Sequence, residues 1–330
     1  MTIVRRWRRI CVCGNLMITA ALVVGCGEKS ATNTTSTNVN LLIDWKAEPT
    51  YAGFFIAEDL GAYQRRNLRV QITQGSGATI AAQVVGQGGQ HFIGSSSGEA
   101  TAIAVSQGIP VVSVAVLYPQ VPTVIYSRSD TPIRKPQDLV GRRIGLISGS
   151  VTVDEYRGMM AASGIDTAQV TQIGVGWDVA PLLTNKVDGL MNYAELTPVE
   201  LRLQGKKIET MRLADFGMKA YSLNIIVNKT RLVSDSATIR KVVEAVEEGY
   251  QFVREHPDSA ARLFNHRFPE RDSSFVRESM KIVAATLGTG KIGSQSTAGW
   301  NETISTLQRL GLLKKNITVD EVAPAAWRVP

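Results

Sequence analysis

The chain has 330 residues, of which 44% are hydrophobic and 20% are charged, and its formal net charge is +7. This composition is typical of a globular protein and excludes a disordered, collagen-like or coiled-coil chain. The only long apolar run lies at the N-terminus, which excludes a polytopic membrane protein. The length exceeds what one hydrophobic core usually fills, so about two lobes are expected.

Residues 1–25 have the pattern of an export signal. Arginines at positions 5, 6, 8 and 9 precede an apolar run over residues 11–24, which is shorter than the about 20 residues of a membrane-spanning helix. Small residues then lead into Cys26, as in a bacterial lipobox, which implies cleavage before this cysteine and its lipidation. A plain signal peptide, or a cytosolic protein with an apolar tail, is the alternative interpretation.

Export would change both the charge and the cysteine content. Loss of residues 1–25 removes four arginines and no acidic residue, so the net charge falls from +7 to +3 and gives no reason to expect a nucleic-acid partner. Cys11 and Cys13 leave with the signal. Cys26 is then the only cysteine of the mature chain, so we expect no disulfide, thiolate metal site or cysteine nucleophile.

The region after Cys26 changes from a tether to alternating strands and helices. Residues 26–38 are rich in serine, threonine and asparagine and are predicted to be a flexible tether. The alternation from Val39 onward is typical of an α/β fold with a largely parallel sheet. In the first part we predict strands over 39–44, 68–73, 91–93 and 111–117 and helices over 53–60, 80–85 and 97–106.

A second set of elements begins near Arg128. We predict strands over 143–147, 170–175 and 189–192 and helices over 151–160, 179–183 and 198–204. An apolar segment over 221–227 is predicted to return the chain to the first lobe. The remainder is predicted to be helical, with helices over 275–287 and 299–310 and one buried helical stripe of Ile239, Val242, Val243, Val246 and Tyr250.

These patterns predict two α/β lobes around a ligand cleft. The first lobe would comprise residues 39–125 and 226–330, and the second residues 126–225. Two crossovers, near 123–128 and 221–228, would form the hinge that lets the lobes close. A ligand would bind between the lobes, where strand ends and helix N-termini point.

Five segments together resemble one known family: 41–55 (LLIDWKAEPTYAGFF), 57–63 (AEDLGAY), 94–99 (GSSSGE), 136–145 (PQDLVGRRIG) and 187–195 (VDGLMNYAE). Their combination and order are similar to solute-binding proteins of ABC importers, in the branch that includes thiamine-pyrimidine-precursor, riboflavin, nitrate, taurine and sulfonate binders. The yeast pyrimidine synthase shares the fold. The resemblance implies a type II periplasmic-binding-protein-like fold, a small-molecule ligand, an ABC-importer permease as partner and no cofactor. It also implies a monomer that is exported and lipid-anchored to a membrane facing the periplasm or the exterior.

The turn after the first strand carries three candidate ligand-binding residues. In the pyrimidine-type pattern Pro, Asn and His stand where this chain has Ala47, Glu48 and Tyr51. Glu48 is an acceptor-only carboxylate that would receive an amino group of the ligand. Trp45 and Tyr51 flank the turn at a strand's carboxyl end, which favours stacking on a flat ring over core packing, the commoner role of aromatic residues.

Two groups of serines are further candidates. Ser95, Ser96 and Ser97 precede a predicted helix of the first lobe, and Ser148 and Ser150 precede one of the second. Small residues there leave backbone N–H groups free to hold a carboxylate, a phosphate or a carbonyl group. The alternative is a plain helix cap. The second loop is not a Walker loop, because no Gly-Lys-Ser/Thr follows it.

The remaining candidates lie at the ends of other strands. Asn192, Tyr193 and Glu195 combine an amide, a ring and a carboxylate, which suits a ligand with amino or amidine groups. The alternative for Glu195 is a solvated acid in the first turn of a helix. Trp177 and Tyr118 each follow another predicted strand.

We expect a lipid-anchored, non-enzymatic solute-binding protein. His91, His256 and His266 are scattered and make no metal spacing, so no metal site and no catalytic residue is predicted. The ligand would be small, polar and aromatic or heterocyclic, with a thiamine pyrimidine precursor ahead of riboflavin-like rings, aromatic acids and sulfonates. The alternatives are a sensor that presents its ligand to a membrane receptor, and an enzyme like the yeast pyrimidine synthase. That synthase resemblance carries a first-turn histidine and a cysteine-rich iron motif, for which this chain has Tyr51 and no free mature cysteine.

Overall fold

The computed structural model describes residues 36–329. The predicted signal over residues 1–25, the lipidation site Cys26 and most of the predicted tether lie outside the described residues. Within residues 36–329, no helix has the length and apolar character needed to cross a membrane.

Two five-stranded sheets form the framework of this part of the chain. In chain order the strands are β1 (Thr37–Ile43), β2 (Leu68–Gln74), β3 (Ile93–Ser97), β4 (Val111–Val116), β5 (Thr123–Arg128), β6 (Arg143–Leu146), β7 (Thr171–Gly174), β8 (Gly189–Tyr193), β9 (Ile208–Arg212) and β10 (Leu223–Asn228). The first sheet has the order β2-β1-β3-β10-β4 and the second β7-β6-β8-β5-β9. The predicted pair of α/β lobes is therefore confirmed.

The sheets are more antiparallel than the sequence predicted. In each sheet three neighbouring strands run parallel, and the last two pairings are antiparallel. The reason is the path of the chain. β10 returns from the second sheet and enters the first between β3 and β4, against their direction. β5 enters the second sheet between β8 and β9 in the same manner.

Helices pack against the sheets and complete both lobes. They are α1 (Ala52–Asp59), α2 (Ala78–Gln87), α3 (Gly98–Ser106), α4 (Val151–Ala162), α5 (Ala180–Leu183), α6 (Thr197–Leu203), α7 (Lys229–Ser234), α8 (Ser236–Glu255), α9 (Pro257–Arg267), α10 (Ser273–Thr286), α11 (Thr297–Arg309) and α12 (Val319–Val322). The predicted stripe on α8 is confirmed, because all five of its residues are buried in the core of the first lobe.

The two crossings between the lobes lie earlier in the chain than predicted. The chain leaves the first sheet after Val116 and returns to it at Leu223. The predicted crossover at 123–128 is strand β5, which pairs wholly within the second sheet. The second predicted crossover falls mostly on β10, which pairs wholly within the first sheet. The connecting segments are therefore residues 117–122 and 213–222.

Three further local predictions need correction. β1 begins two residues inside the predicted tether, because Thr37 and Asn38 pair with the start of β2. The strand predicted at 91–93 is β3, which extends through Ser97 because its serines pair with β10. The half-buried edge strand β9 was not predicted, whereas α9 lies in the remainder that we predicted to be helical and begins at Pro257, a favourable first helical residue.

The closest helix packing in the first lobe joins α1 to α8. Gly53 of α1 lies against the Tyr250 ring, so a Cβ added to Gly53 would come within 2.2 Å of it. A Cβ on Gly249 of α8 would lie 2.0 Å from the Gly53 carbonyl oxygen. Only glycine lets these two helix backbones approach so closely. Tyr250 also donates a hydrogen bond of 2.9 Å to the Thr50 carbonyl, so this contact fixes the turn that precedes α1.

Gly249→Ala tests this contact. The added methyl group must push α8 away from α1, so we expect the free energy of unfolding to fall by about 1–3 kcal/mol, as for an overpacked core. Urea denaturation followed by circular dichroism measures this change. Gly89→Ala is the matched control, because a Cβ at Gly89 meets no atom within 4 Å. Equal stability of the two variants would contradict the close-packing account.

Candidate functional site

A cleft of about 290 Å³ opens between the two lobes. It lies at the carboxyl ends of β1 and β6, where an α/β fold commonly binds a ligand. Its volume is at the small end of the range of ligand pockets, about 300–1,000 Å³. Eight of the thirteen predicted ligand-binding residues line it: Trp45, Glu48, Tyr51, Ser148, Ser150, Trp177, Asn192 and Tyr193. The other five, Ser95, Ser96, Ser97, Tyr118 and Glu195, are buried beside it or behind it.

Two tryptophans from opposite lobes meet at the cleft. Trp45 follows β1 and also packs against the core of the first lobe, whereas Trp177 follows β7 and is 57% exposed. Their ring centroids are 5.7 Å apart, and the ring planes make an angle of 43°. This is the distance of a direct aromatic contact, so the two rings touch each other across the lobe boundary.

Tyr51 places a protonated phenol on the wall of the cleft. It ends the short 3₁₀ turn Pro49–Tyr51 that connects β1 to α1, and it is almost completely buried. Burial, and next the neighbouring Asp44 carboxylate, raise the pKa of the Tyr51 hydroxyl well above its usual value. Tyr51 therefore keeps its proton and directs it to the Asp44 carboxylate.

Glu48 lines the cleft, but one of its oxygens is already engaged. Arg271 donates to Glu48 Oε2 at 2.5 Å and also to the Ala47 carbonyl oxygen at 2.8 Å. Burial raises the pKa of Glu48, and the hydrogen bond from Arg271 acts against that rise. The ion pair with Arg271 therefore leaves Glu48 only part of the acceptor capacity that the sequence suggested. It also connects the turn to the segment after α9.

Asp44 is a cleft carboxylate that we did not predict as a site residue. It directly follows β1, lines the cleft and is nearly fully buried. The Ser95 hydroxyl donates to Asp44 Oδ1 and accepts a hydrogen bond of 2.9 Å from the Asp44 backbone N–H. Burial raises the pKa of Asp44, and the Ser95 hydrogen bond partly offsets this. The position of Asp44 before Trp45, at the carboxyl end of a predicted strand, is the sequence signal from which it could have been predicted as a site residue.

The three serines of β3, which we predicted as ligand contacts before a helix, lie behind the cleft wall and do not line the cleft. Ser95 orients Asp44, as described above. The Ser96 hydroxyl donates to the Ala78 carbonyl at 3.0 Å, at the start of α2. Ser97 caps α3 by accepting from the Ala100 N–H at 3.1 Å. They lie within a buried strand because both neighbouring strands pair with its backbone.

Two helix N-termini face the cleft, one from each lobe. Residues 148–152 line it at the start of α4, where Ser150 accepts a hydrogen bond from the Thr152 N–H. Residues 76–80 line it at the start of α2, a segment that we had marked only as a helix entry. Backbone N–H groups in a helix's first turn lack partners within the helix, so both ends can receive a ligand's carbonyl or anionic oxygen.

The three predicted residues after β8 separate into two places. Asn192 and Tyr193 line the cleft, and the Asn192 side chain is held by a hydrogen bond of 2.7 Å to Thr197. Glu195 is fully buried and accepts a hydrogen bond of 3.0 Å from Thr50 in the other lobe. Tyr118, in the first crossing segment, lies 3.5 Å from the same Glu195 oxygen. Glu195 and Tyr118 therefore join the lobes behind the cleft.

Comparison with known proteins identifies the family. The NMT1/THI5 like family matches residues 48–260. The riboflavin-binding protein RibY of Chloroflexus aurantiacus is 28% identical over 237 residues, which cover 68% of this chain and 67% of RibY. The formylaminopyrimidine-binding protein of Halalkalibacterium halodurans is 22% identical over 317 residues and covers 93% of this chain and 96% of its own.

An enzyme is among the relatives as well. The 4-amino-5-hydroxymethyl-2-methylpyrimidine phosphate synthase of Legionella pneumophila is 25% identical over 247 residues, 73% of this chain and 77% of the synthase. Among solved structures, the alkanesulfonate-binding protein SsuA from Xanthomonas axonopodis has a TM-score of 0.68 at 13% identity and covers 89% of this chain and 98% of its own. That likeness confirms the predicted periplasmic-binding-protein fold. The sequence relatives include both binding proteins and enzymes.

Glu195→Gln tests the buried state of the Glu195 carboxyl group. Burial raises the pKa of Glu195 to about 7 in the folded protein. The protonated Glu195 carboxyl group therefore contributes fully to the stability of the fold below the pKa of about 4.3 that it has in the unfolded chain. This contribution is lost as the pH rises through about 7. Relative to the wild type, the variant should gain up to about 1.4 kcal/mol in unfolding free energy per pH unit across that window.

Urea denaturation between pH 5 and pH 8 measures this difference. Glu278→Gln is the control, because Glu278 is exposed on the surface and pairs with Lys281 at 2.8 Å. Its profile should run parallel to that of the wild type above pH 5. A Glu195→Gln profile that is also parallel would show that Glu195 is ionised in the folded protein.

Proposed function

Since the chain belongs to the NMT1/THI5 like family, we propose that it is an extracytoplasmic solute-binding protein that delivers a small aminated heterocycle to an ABC importer. The observation that carries this proposal is the chemistry of the cleft. Asp44 and Glu48 line it together with aromatic rings, and none of the described residues along it is a lysine, arginine or histidine. A ligand that donates hydrogen bonds and has a flat ring matches these walls.

An anionic ligand suits the cleft less well. A sulfonate, nitrate or carboxylate would find the two helix N-termini, but it would also lie near the carboxyl groups of Asp44 and Glu48 without a side-chain cation. A neutral or protonated aminopyrimidine places its amino group toward a carboxylate and leaves a ring substituent to accept from a helix N-terminus.

Binding would act by stabilising the closed arrangement of the lobes. Trp45 and Trp177 touch across the lobe boundary, and Thr50 donates to Glu195 across it. A solute that contacts both walls binds the closed form better than the open one, and this difference in affinity is sufficient to shift the population. The closed form would then be the species that docks on the permease.

A binding role is favoured over catalysis. Some relatives are pyrimidine phosphate synthases, so the family alone does not separate the two functions. In this chain Tyr51 stands where the pyrimidine-type pattern has a histidine, and the cleft residues that the structure describes include no histidine, cysteine or lysine. These are the side chains that most often act as a base or a nucleophile. A ligand-presenting sensor would need the same site.

A thermal-shift screen of the purified protein tests the ligand class. The panel would hold formylaminopyrimidine, hydroxymethylpyrimidine, thiamine, riboflavin, taurine, an alkanesulfonate and nitrate. A ligand at 100 times its Kd adds about 2.7 kcal/mol, which raises the melting temperature by several degrees. We expect a shift with an aminopyrimidine, and its loss in Trp45→Ala because the ring loses its stacking surface.

Trp327→Ala is the matched control for the screen. Trp327 stacks under Arg240 at 4.4 Å and does not line the cleft, so its removal should lower the melting temperature without abolishing the ligand-induced shift. A shift with taurine or the alkanesulfonate, and none with any pyrimidine, would contradict the proposed ligand class while leaving a solute-binding role in place.

We also propose that the chain is anchored through a lipid on Cys26, because this cysteine ends the lipobox-like pattern of the N-terminus. Cys26→Ser should abolish labelling by radioactive palmitate and move the protein from the membrane fraction to the soluble extracytoplasmic fraction. Cys11→Ser and Cys13→Ser, which change cysteines of the predicted signal, should leave both results as in the wild type. Equal palmitate labelling of Cys26→Ser and the wild type would contradict the anchor.

A further inference from the structure

Two glutamates from opposite lobes are buried together beside the cleft. Glu99 lies in the first turn of α3 in the first lobe, and Glu155 lies on α4 in the second. Both side chains are 0% exposed. Their carboxyl groups face each other closely enough to share a hydrogen bond once one of them is protonated. No oxygen of either group has a well-formed hydrogen bond among the described residues, although the Ser97 hydroxyl and the Glu99 backbone N–H lie beside Glu99 and the Thr123 hydroxyl lies beside Glu155.

Among the described residues, no buried cation lies beside this pair. The charged and titratable groups that act on it are Asp154 of α4 and Tyr193 of β8, and the Thr123 hydroxyl at the start of β5 lies beside Glu155. Arg157 of α4 is directed to Asp154 at 3.5 Å. On the other elements that pack against α3 and α4, the charges pair at the surface: Glu302 with Lys219, Asp320 with Arg328, and Asp215 with Arg212.

Two ionised carboxylates are incompatible with this environment. Burial raises the pKa of Glu99 to about 7. Burial, and next the charge of Glu99, raise the pKa of Glu155 further. One proton removes the conflict, because a protonated carboxyl group donates a hydrogen bond to the carboxylate opposite it. The proton thereby neutralises one charge and gives two buried oxygens a partner.

We propose that Glu99 and Glu155 form a proton-binding site between the lobes, and that the proton they share holds the closed form together. Because the two residues belong to different lobes, opening separates them and admits water. Each then returns toward the ordinary glutamate pKa of about 4.3 and releases the proton near neutral pH. The closed form therefore binds at least one proton more than the open form between about pH 4.3 and pH 7.

This linkage makes closure depend on pH, whichever solute the cleft binds. The proton favours the closed form fully below the ordinary glutamate pKa, and the preference weakens as the pH rises toward the raised values. For one retained proton, the ratio of closed to open protein falls by up to about tenfold per pH unit in that window. A solute that selects the closed form loses affinity by the same factor and takes up a proton as it binds.

Carbon-13 NMR of the ligand-free protein, labelled at the glutamate carboxyl carbon, tests the site without knowledge of the solute. We expect three glutamate resonances that titrate above about pH 6, those of Glu99, Glu155 and the separately buried Glu195, against about 4.3 for ordinary glutamates. Glu99→Gln and Glu155→Gln each remove one of them and so assign the pair. If the resonances that these two substitutions remove titrate below about pH 5.5 in the wild type, the proton-binding site does not exist.

Small-angle X-ray scattering tests the effect on the lobes. The radius of gyration of the wild type should increase from about pH 5 to about pH 8.5 as the proton is lost and the lobes open. In Glu155→Gln the amide donates to Glu99 in place of the proton, so the radius should increase less with pH than that of the wild type. Glu302→Gln, an exposed control, should follow the wild type.

A wild-type radius that does not change with pH would overturn the proposed link to closure. Both wild-type measurements remain decisive if a variant fails to fold. Neither uses a ligand, so their failure is distinguishable from failure of the proposed transport function.

Discussion

Carboxyl groups meet near the boundary between the lobes, and no buried cation balances them. Asp44, Glu99, Glu155 and Glu195 are all buried there, while no lysine, arginine or histidine of residues 36–329 is buried to the same degree. An ionised group that is buried without a partner costs several kcal/mol, so each of these groups must take a proton, a hydrogen-bond donor or a ligand. Ser95 and Thr50 supply donors to two of them. The Glu99–Glu155 pair has none.

The same constraint links the ligand to the motion. Asp44 opens onto the cleft beside Tyr51, so a solute can bring it a further donor. Glu195 and the Glu99–Glu155 pair lie behind the wall and connect the lobes, so their protonation favours the closed form. Closure removes carboxyl oxygens from water, and these oxygens then need hydrogen-bond donors. An amino group of the solute and a proton from solvent both supply such a donor, so both favour the closed form.

The sequence predicted the two lobes and most of the cleft, because periodic apolar residues and strand ends are local signals. It could not show which side chain meets which across the fold. Arg271, which engages Glu48, is 223 residues away from it in the chain. Ser95, Ser96 and Ser97 have the composition of a loop, yet strand pairing makes them part of a buried sheet. Asp44 was read only as the end of a strand, although its position marked it as a cleft residue.

A crystal structure of the protein with formylaminopyrimidine would test the central claim most directly, namely that the carboxylates of the cleft receive the amino group of a flat ring. The account predicts the ring against Trp45, and its amino nitrogen within hydrogen-bond distance of Asp44, about 3 Å. It also predicts that a ring substituent accepts from the first turn of α2 or α4. A ligand that lies in the cleft with no donor directed at Asp44 or Glu48 would contradict the account.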